Sequence, residues 1–89
     1  MHTIHEKPKL LARVRRMQGQ LRALETQLEQ EGDCIEILQQ IAAIRGAANG
    51  LMSTLIEGHM RDHVVREAKE ELREEEAKVV LQVVKSYLK

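Results

Sequence analysis

Hydrophobic residues recur at alternating intervals of four and three positions through the first third of the chain. The members of this pattern are Leu10, Val14, Met17, Leu21, Leu24 and Leu28. Such spacing predicts an amphipathic α-helix that packs its apolar side against another helix. The stretch EQEGDC then interrupts the period. Gly32 predicts the end of the first helix, and Asp33 predicts the N-cap of the next one.

A second helical period runs from about residue 34 into the mid-sixties. Its members are Ile37, Leu38, Ile41, Ile44, Ala48, Leu51, Met52 and Leu55. Within it the small residues Ala42, Gly46 and Gly50 recur every fourth position. A glycine costs about 1 kcal/mol relative to alanine inside a helix. An aligned stripe therefore favours close approach by another helix over a merely weakened helix.

A third apolar pattern, near the carboxyl terminus, predicts one more helix. It consists of Leu72, Val79, Val80, Val83, Val84, Tyr87 and Leu88. No Gly or Pro separates it from the second segment, so the boundary is predicted only to lie between residues 64 and 72. The six glutamates from 67 to 76 are most simply interpreted as a solvated face. The chain is thus predicted to be all-α and to form a single domain over residues 1–89.

The composition limits what such a domain is expected to do. The chain has 89 residues with no Trp, no Phe and one Tyr, so its core must be aliphatic. A core this small favours oligomerisation, which adds buried area. Cys34 is the only cysteine and cannot form an internal disulfide. No apolar run is long enough for a signal peptide or a membrane span, so a cytoplasmic protein without a membrane partner is expected.

Charge is unevenly distributed although the formal net charge is zero. Residues 1 to 24 carry six basic side chains and one acidic side chain, residues 25 to 62 carry two and seven, and residues 63 to 89 carry six of each. This asymmetry is typical of a binding surface for an anionic partner. The candidate DNA-binding residues are Lys9, Arg13, Arg15 and Arg16. No helix-turn-helix or zinc finger is evident, so these side chains are expected to follow the phosphate backbone.

Two histidines stand four residues apart in the stretch EGHMRDHVV. On a helix, His59 and His63 would lie on one face and could share a metal ion, although a solvated pair of histidines has the same spacing. Cys34 precedes His59 by 25 residues, which is about 37 Å along one helix. One chain therefore cannot place all three at one ion.

An antiparallel pair of these helices from two chains would solve the distance problem. It would bring Cys34 of one chain beside His59 and His63 of the other. The midpoint of such a crossing falls between Gly46 and Gly50, where small side chains permit close packing. The two observations are independent, and together they predict a twofold dimer with two intersubunit sites.

The segments RVRRMQGQLRALE and ILQQIAAIRGAANGLM, with Cys34, His59, His63 and the closing YLK, resemble the CsoR/RcnR/FrmR family of small bacterial repressors. The resemblance extends over nearly the whole chain. It implies a three-helix protomer and an antiparallel dimer that assembles into a flat dimer-of-dimers tetramer. It also implies a repressor that binds operator DNA without its effector and releases it afterwards. Neither catalysis nor a small-molecule substrate is expected.

The ligand positions separate the branches of this family. Copper(I) sensors resemble the chain less, because they carry a second cysteine where His63 stands. Formaldehyde sensors typically have proline after the first Met and a carboxylate at the later position. The nickel and cobalt branch is most similar, which implies ligands at His2, Cys34, His59 and His63, with the Met1 amine. The donor set also suits Zn(II).

The expected function is therefore a nickel- or cobalt-responsive repressor of metal efflux genes. The alternatives are a zinc- or formaldehyde-responsive repressor of the same fold, a metal-binding helical protein without DNA binding, and a small metal-dependent enzyme. The last alternative is disfavoured because the chain shows no general base beside the candidate site.

Overall fold

The structure, a computed structural model, describes residues 5 to 88. Over this range the chain forms three α-helices and no strand: α1 spans Lys7–Glu29, α2 spans Cys34–Met60 and α3 spans Glu70–Tyr87. A π-helical turn, Arg61–Val65, continues from the end of α2. The predicted all-α protomer with three helices is confirmed. The boundary between the second and third helices falls at residues 66 to 69, inside the predicted interval.

The turn between α1 and α2 differs by one residue from the prediction. Glu31, rather than Gly32, adopts the left-handed conformation, with a φ of 52°. The Glu31 N–H donates to the Leu28 carbonyl at 3.2 Å, and the Gly32 N–H donates to the Gln27 carbonyl at 2.8 Å. These are the two hydrogen bonds of a Schellman motif. Gly32 has a different role, because a Cβ at this position would lie 3.1 Å from the Gln27 carbonyl oxygen.

The predicted N-cap of α2 is confirmed. The Asp33 carboxylate accepts a hydrogen bond from the Glu36 N–H at 3.3 Å, and the Asp33 carbonyl accepts the first helical bond from Ile37 at 3.0 Å. This satisfies one of the amide donors that a helix leaves unpaired in its first turn. α2 therefore begins at Cys34, the residue that follows the cap.

The contacts divide the chain into two compact units, one of which is Glu6–Met52. In this unit α1 and the first part of α2 run antiparallel: the Gln40 side chain donates to the Gln20 carbonyl at 3.2 Å, and Arg13 reaches Gly50. Six side chains form the half-buried side of α1: Leu10, Met17, Gln20, Leu24, Gln27 and the preceding Glu6.

The predicted apolar side of α1 is therefore only half correct. Its alternate members, Val14, Leu21 and Leu28, remain 37%, 50% and 58% exposed. The remaining members are half-buried. Among all the residues that the structure describes, no hydrophobic side chain is fully buried within the single chain. A second apolar surface on α1 is consequently left without cover inside the protomer.

The second unit includes residues 53 to 88, with the end of α2, the π-helical turn and α3. α3 packs against the π-helical turn. Val80 and Val84 are half-buried, as the apolar pattern predicts, whereas Val79 and Val83 are 47% and 45% exposed. Gly58 is the one buried residue of the described range. In the same range, no helix combines the length and the apolar character that crossing a bilayer requires.

Candidate functional site

The two candidate imidazoles lie side by side in the second unit. His59 is the penultimate residue of α2, and His63 is the central residue of the π-helical turn. Their ring centroids are 4.5 Å apart and their planes are inclined by 33°. The π-helical turn is closed by the Arg66 N–H, which donates to the Arg61 carbonyl five residues earlier at 3.0 Å. Single π-helical turns occur frequently at functional sites.

Glu76, which lies on α3, forms a hydrogen bond with one of these imidazoles. Its Oε2 lies 2.9 Å from Nε2 of His59, and the two side chains are 38% and 34% exposed. A carboxylate bonded to one ring nitrogen fixes the orientation and the tautomer of a histidine, and such a histidine ligates a metal through its other nitrogen. The contact therefore orients His59 as metal ligands are commonly oriented.

The interpretation of Glu76 as part of a solvated face was wrong. The carboxylate makes a hydrogen bond that reaches back 17 residues along the chain. The signal that could have found it is its position: Glu76 precedes the half-buried Val80 by one helical turn and Val84 by two, so it lies on the inner side of α3. Glu75 and Glu74, by contrast, are exposed.

Cys34 belongs to the first unit, and the two histidines belong to the second. It is the exposed first residue of α2, whereas His59 stands near the last. Between residues 5 and 88 of one protomer, no three His, Cys, Asp or Glu side chains are grouped so that they could hold a metal. His2 and Met1 lie outside the described residues.

The basic candidates all lie on α1 in the first unit. Lys9, Arg13, Arg15 and Arg16 are exposed. Arg13 and Arg16, with Ala47 of α2, line an open cleft of about 270 Å³. Within the described residues, no carboxylate forms a salt bridge with Arg13 or Arg16. Two neighbouring guanidinium groups that lack a carboxylate partner form an electropositive surface suited to phosphate oxygens.

The family model described as metal-sensitive transcriptional repressor matches residues 6–86 of the chain. The chain belongs to this family. It is accordingly a metal-responsive transcriptional repressor and not an enzyme.

Two relatives resemble this repressor over nearly their whole length. The transcriptional repressor RcnR of Salmonella paratyphi B is 50% identical over 88 residues, which cover 99% of this chain and 98% of the relative. The transcriptional repressor RcnR of Escherichia coli O9:H4 is 51% identical over the same length, with the same coverage. The predicted resemblance is thus confirmed.

Solved structures of the same family share its fold. A variant of the formaldehyde-responsive regulator FrmR from Salmonella enterica serovar Typhimurium has a TM-score of 0.87 and 42% identity, with 98% of this repressor and 99% of that chain covered. The copper-sensing repressor CsoR with Cu(I) from Geobacillus thermodenitrificans has a TM-score of 0.88 and 29% identity, with 96% and 88% covered. Because regulators named for formaldehyde and for copper share one fold, the effector must be argued from side chains.

Proposed function

We propose that this repressor senses Ni(II) or Co(II) in the cytoplasm, binds operator DNA without metal, and releases it when metal binds. Release derepresses metal efflux genes. The observation that carries the proposal is the pair of adjacent imidazoles, His59 and His63, with Glu76 bonded to the first ring. Nitrogen donors with one thiolate suit borderline divalent metals better than soft Cu(I).

The proposed ligand set comes from two protomers. Cys34 of one protomer supplies a thiolate, and His59 and His63 of another supply nitrogens. His2 and the Met1 amine would complete a site of higher coordination number. In support, a single protomer groups no three donors among its described residues, and Cys34 is exposed at the start of α2. The bound ion would supply a fixed positive charge that draws these groups together.

The proposed assembly is a dimer of dimers. Three apolar side chains of α1, Val14, Leu21 and Leu28, are left exposed by the protomer and offer area to another copy. On α2, a Cβ added at Gly46 would meet no heavy atom within 4 Å, so this position is open to a second helix. An antiparallel crossing near Gly46 supports the intersubunit metal site.

The proposed DNA contacts are the exposed cations of α1. Arg13 and Arg16 bind backbone phosphates, and Lys9 and Arg15 extend the positive surface. Repeated copies of this surface on a symmetric oligomer would follow the shape of the duplex. Metal binding through His2 would draw the amino terminus inward and shift α1. The two ligands would then oppose each other, with a coupling of about 1 to 3 kcal/mol.

A competition experiment tests the proposal. The probe is a labelled duplex selected from a random-sequence pool by binding to the metal-free protein, hereafter the selected duplex. Fluorescence anisotropy is followed while Ni(II), Co(II), Zn(II) or formaldehyde is added. We expect Ni(II) or Co(II) to release the duplex at the lowest free concentration. Release by zinc alone would favour a zinc sensor, and release by formaldehyde alone would favour the branch of the FrmR neighbour.

A further inference from the structure

Arg13 lies across a glycine of the neighbouring helix. A Cβ built at Gly50 would be 3.2 Å from Nη1 of Arg13, which is tighter than an ordinary van der Waals contact. At Gly19 and Gly46, which are also helical, the same construction meets no heavy atom within 4 Å. No glycine among the described residues has a positive φ. The backbone conformation therefore does not require glycine at position 50, and the atom that a Cβ there would crowd belongs to the Arg13 side chain.

We infer that Gly50 is a positioning residue for the DNA contact made by Arg13. Without a side chain at position 50, the Arg13 guanidinium lies against α2, beside the cleft that it lines with Arg16 and Ala47. The inference rests on the proposed DNA function and names the residue that sets the geometry of its basic surface. The ligand class is a phosphodiester of duplex DNA, which a fork of guanidinium donors binds with two parallel hydrogen bonds.

The position of the Arg13 side chain can change without a loss of fold stability. A methyl group at position 50 would displace Nη1 by a few tenths of an ångström or force another rotamer of Arg13. Nη1 is the far end of a flexible side chain, so the side chain moves and the helices stay in place. Replacing a helical glycine with alanine also favours the helix. A loss of DNA binding in such a variant would therefore not come from a loss of folding.

A matched pair of variants tests the inference. Gly50→Ala and Gly19→Ala make the same replacement in a helix, but only the first meets Arg13. Affinity for the selected duplex is measured by anisotropy, with helicity by circular dichroism, oligomeric state by sedimentation and Ni(II) affinity as further readouts. We expect Gly50→Ala to raise the Kd for DNA about two- to tenfold, the cost of re-immobilising one long side chain. Gly19→Ala should match the parent.

The Arg13→Ala variant and the Arg13→Ala/Gly50→Ala double variant distinguish a failure of the inference from a failure of the proposed DNA surface. If Arg13 acts on DNA and is positioned by Gly50, then Gly50→Ala should add no further loss in the Arg13→Ala background. A loss that persists in that background means that Gly50 acts by another route, and it overturns the inference. The inference is also overturned if Gly50→Ala and Gly19→Ala bind DNA with equal affinity while Arg13→Ala binds weakly. That result would leave the proposed DNA surface in place. If Arg13→Ala binds like the parent, the proposed DNA surface itself fails.

Discussion

The two compact units differ in how their charged side chains are partnered. In residues 53 to 88, Arg66 pairs with Asp62 at 3.4 Å, Arg61 approaches Glu57 at 3.9 Å, and His59 bonds to Glu76 at 2.9 Å. In residues 6 to 52, the cations of α1 that we assign to DNA have no carboxylate partner among the described residues. Charge in one unit orients neighbouring side chains, whereas charge in the other remains available to an external polyanion.

The metal ligands that we propose are also divided between the two units. Cys34 belongs to the unit with the unpartnered cations, and the imidazoles belong to the unit with the internal pairs. In our proposal, a metal ion that binds ligands from both units would couple the two kinds of surface.

The largest effect is expected on the oligomeric state. Gly46→Leu places a large side chain where we propose that two copies of α2 cross, and the resulting clash should dissociate the complex. Sedimentation would then give a lower mass with helicity retained, whereas Gly19→Leu, in α1 and equally open in the protomer, should leave the mass unchanged. An intact Gly46→Leu oligomer with native helicity would rule out the antiparallel crossing.

Removing the thiolate should have the next largest effect. Cys34→Ala deletes a proposed ligand, so the sulfur-to-metal charge-transfer band of the Ni(II) or Co(II) complex should disappear. Metal affinity should fall by more than about 100-fold, since loss of a group that merely supports a ligand costs 10- to 100-fold. His5→Ala, a histidine outside the proposed set, is the control. Survival of the band in Cys34→Ala would show that it does not arise from the Cys34 thiolate, and the assignment of Cys34 as a ligand would then be wrong.

Glu76→Ala removes the carboxylate that orients His59. We expect Co(II) affinity, measured by competition with a chelator, to fall by about 10- to 100-fold, with Glu76→Gln in between. Glu75→Ala, whose side chain is exposed on the same helix, should match the parent. Tighter metal binding by Glu76→Ala would mean that the carboxylate competes with the metal for His59, which is the opposite role.

The smallest effect is expected on DNA affinity. It distinguishes cations that lack a carboxylate partner from a cation that has one. Arg13→Ala and Arg16→Ala should each weaken binding of the selected duplex about tenfold at low salt, because each loses a charge-assisted hydrogen bond. The slope of log affinity against log salt should become shallower by about one. Arg66→Ala, which removes a cation already paired with Asp62, is the control. Parent-like slopes for both α1 variants would place the DNA surface elsewhere.

Local features of the fold were predictable because their causes are local. The helical periods and the Asp33 cap depend on residues within one or two turns, and both appear as predicted. The side of α1 that packs within the protomer was not predictable in the same way. Periodicity indicates that Val14 and Leu21 are suited to burial, but it does not say whether the covering helix comes from the same chain.

The candidate site also shows which features local sequence patterns predict and which they do not. The spacing of His59 and His63 predicts their proximity, and the rings are indeed adjacent. Glu76 was missed because its partner is distant in sequence and belongs to a different helix. The π-helical turn around His63 was also missed, since no residue pattern distinguishes a five-residue hydrogen-bond step from the ordinary four-residue step. Such features depend on how the elements pack, which a single sequence does not encode locally.

Between residues 5 and 88, the single chain fully buries no hydrophobic side chain, and this has a consequence for how much of the repressor is folded in a cell. If the assembly that we propose completes the core, the protomer gains stability by mass action, so its melting temperature should rise with protein concentration. Its folded population then depends on its own rate of synthesis and on dilution at cell division. Scarce copies would be lost to proteolysis before they could occupy a promoter, and repression would therefore begin above a threshold abundance.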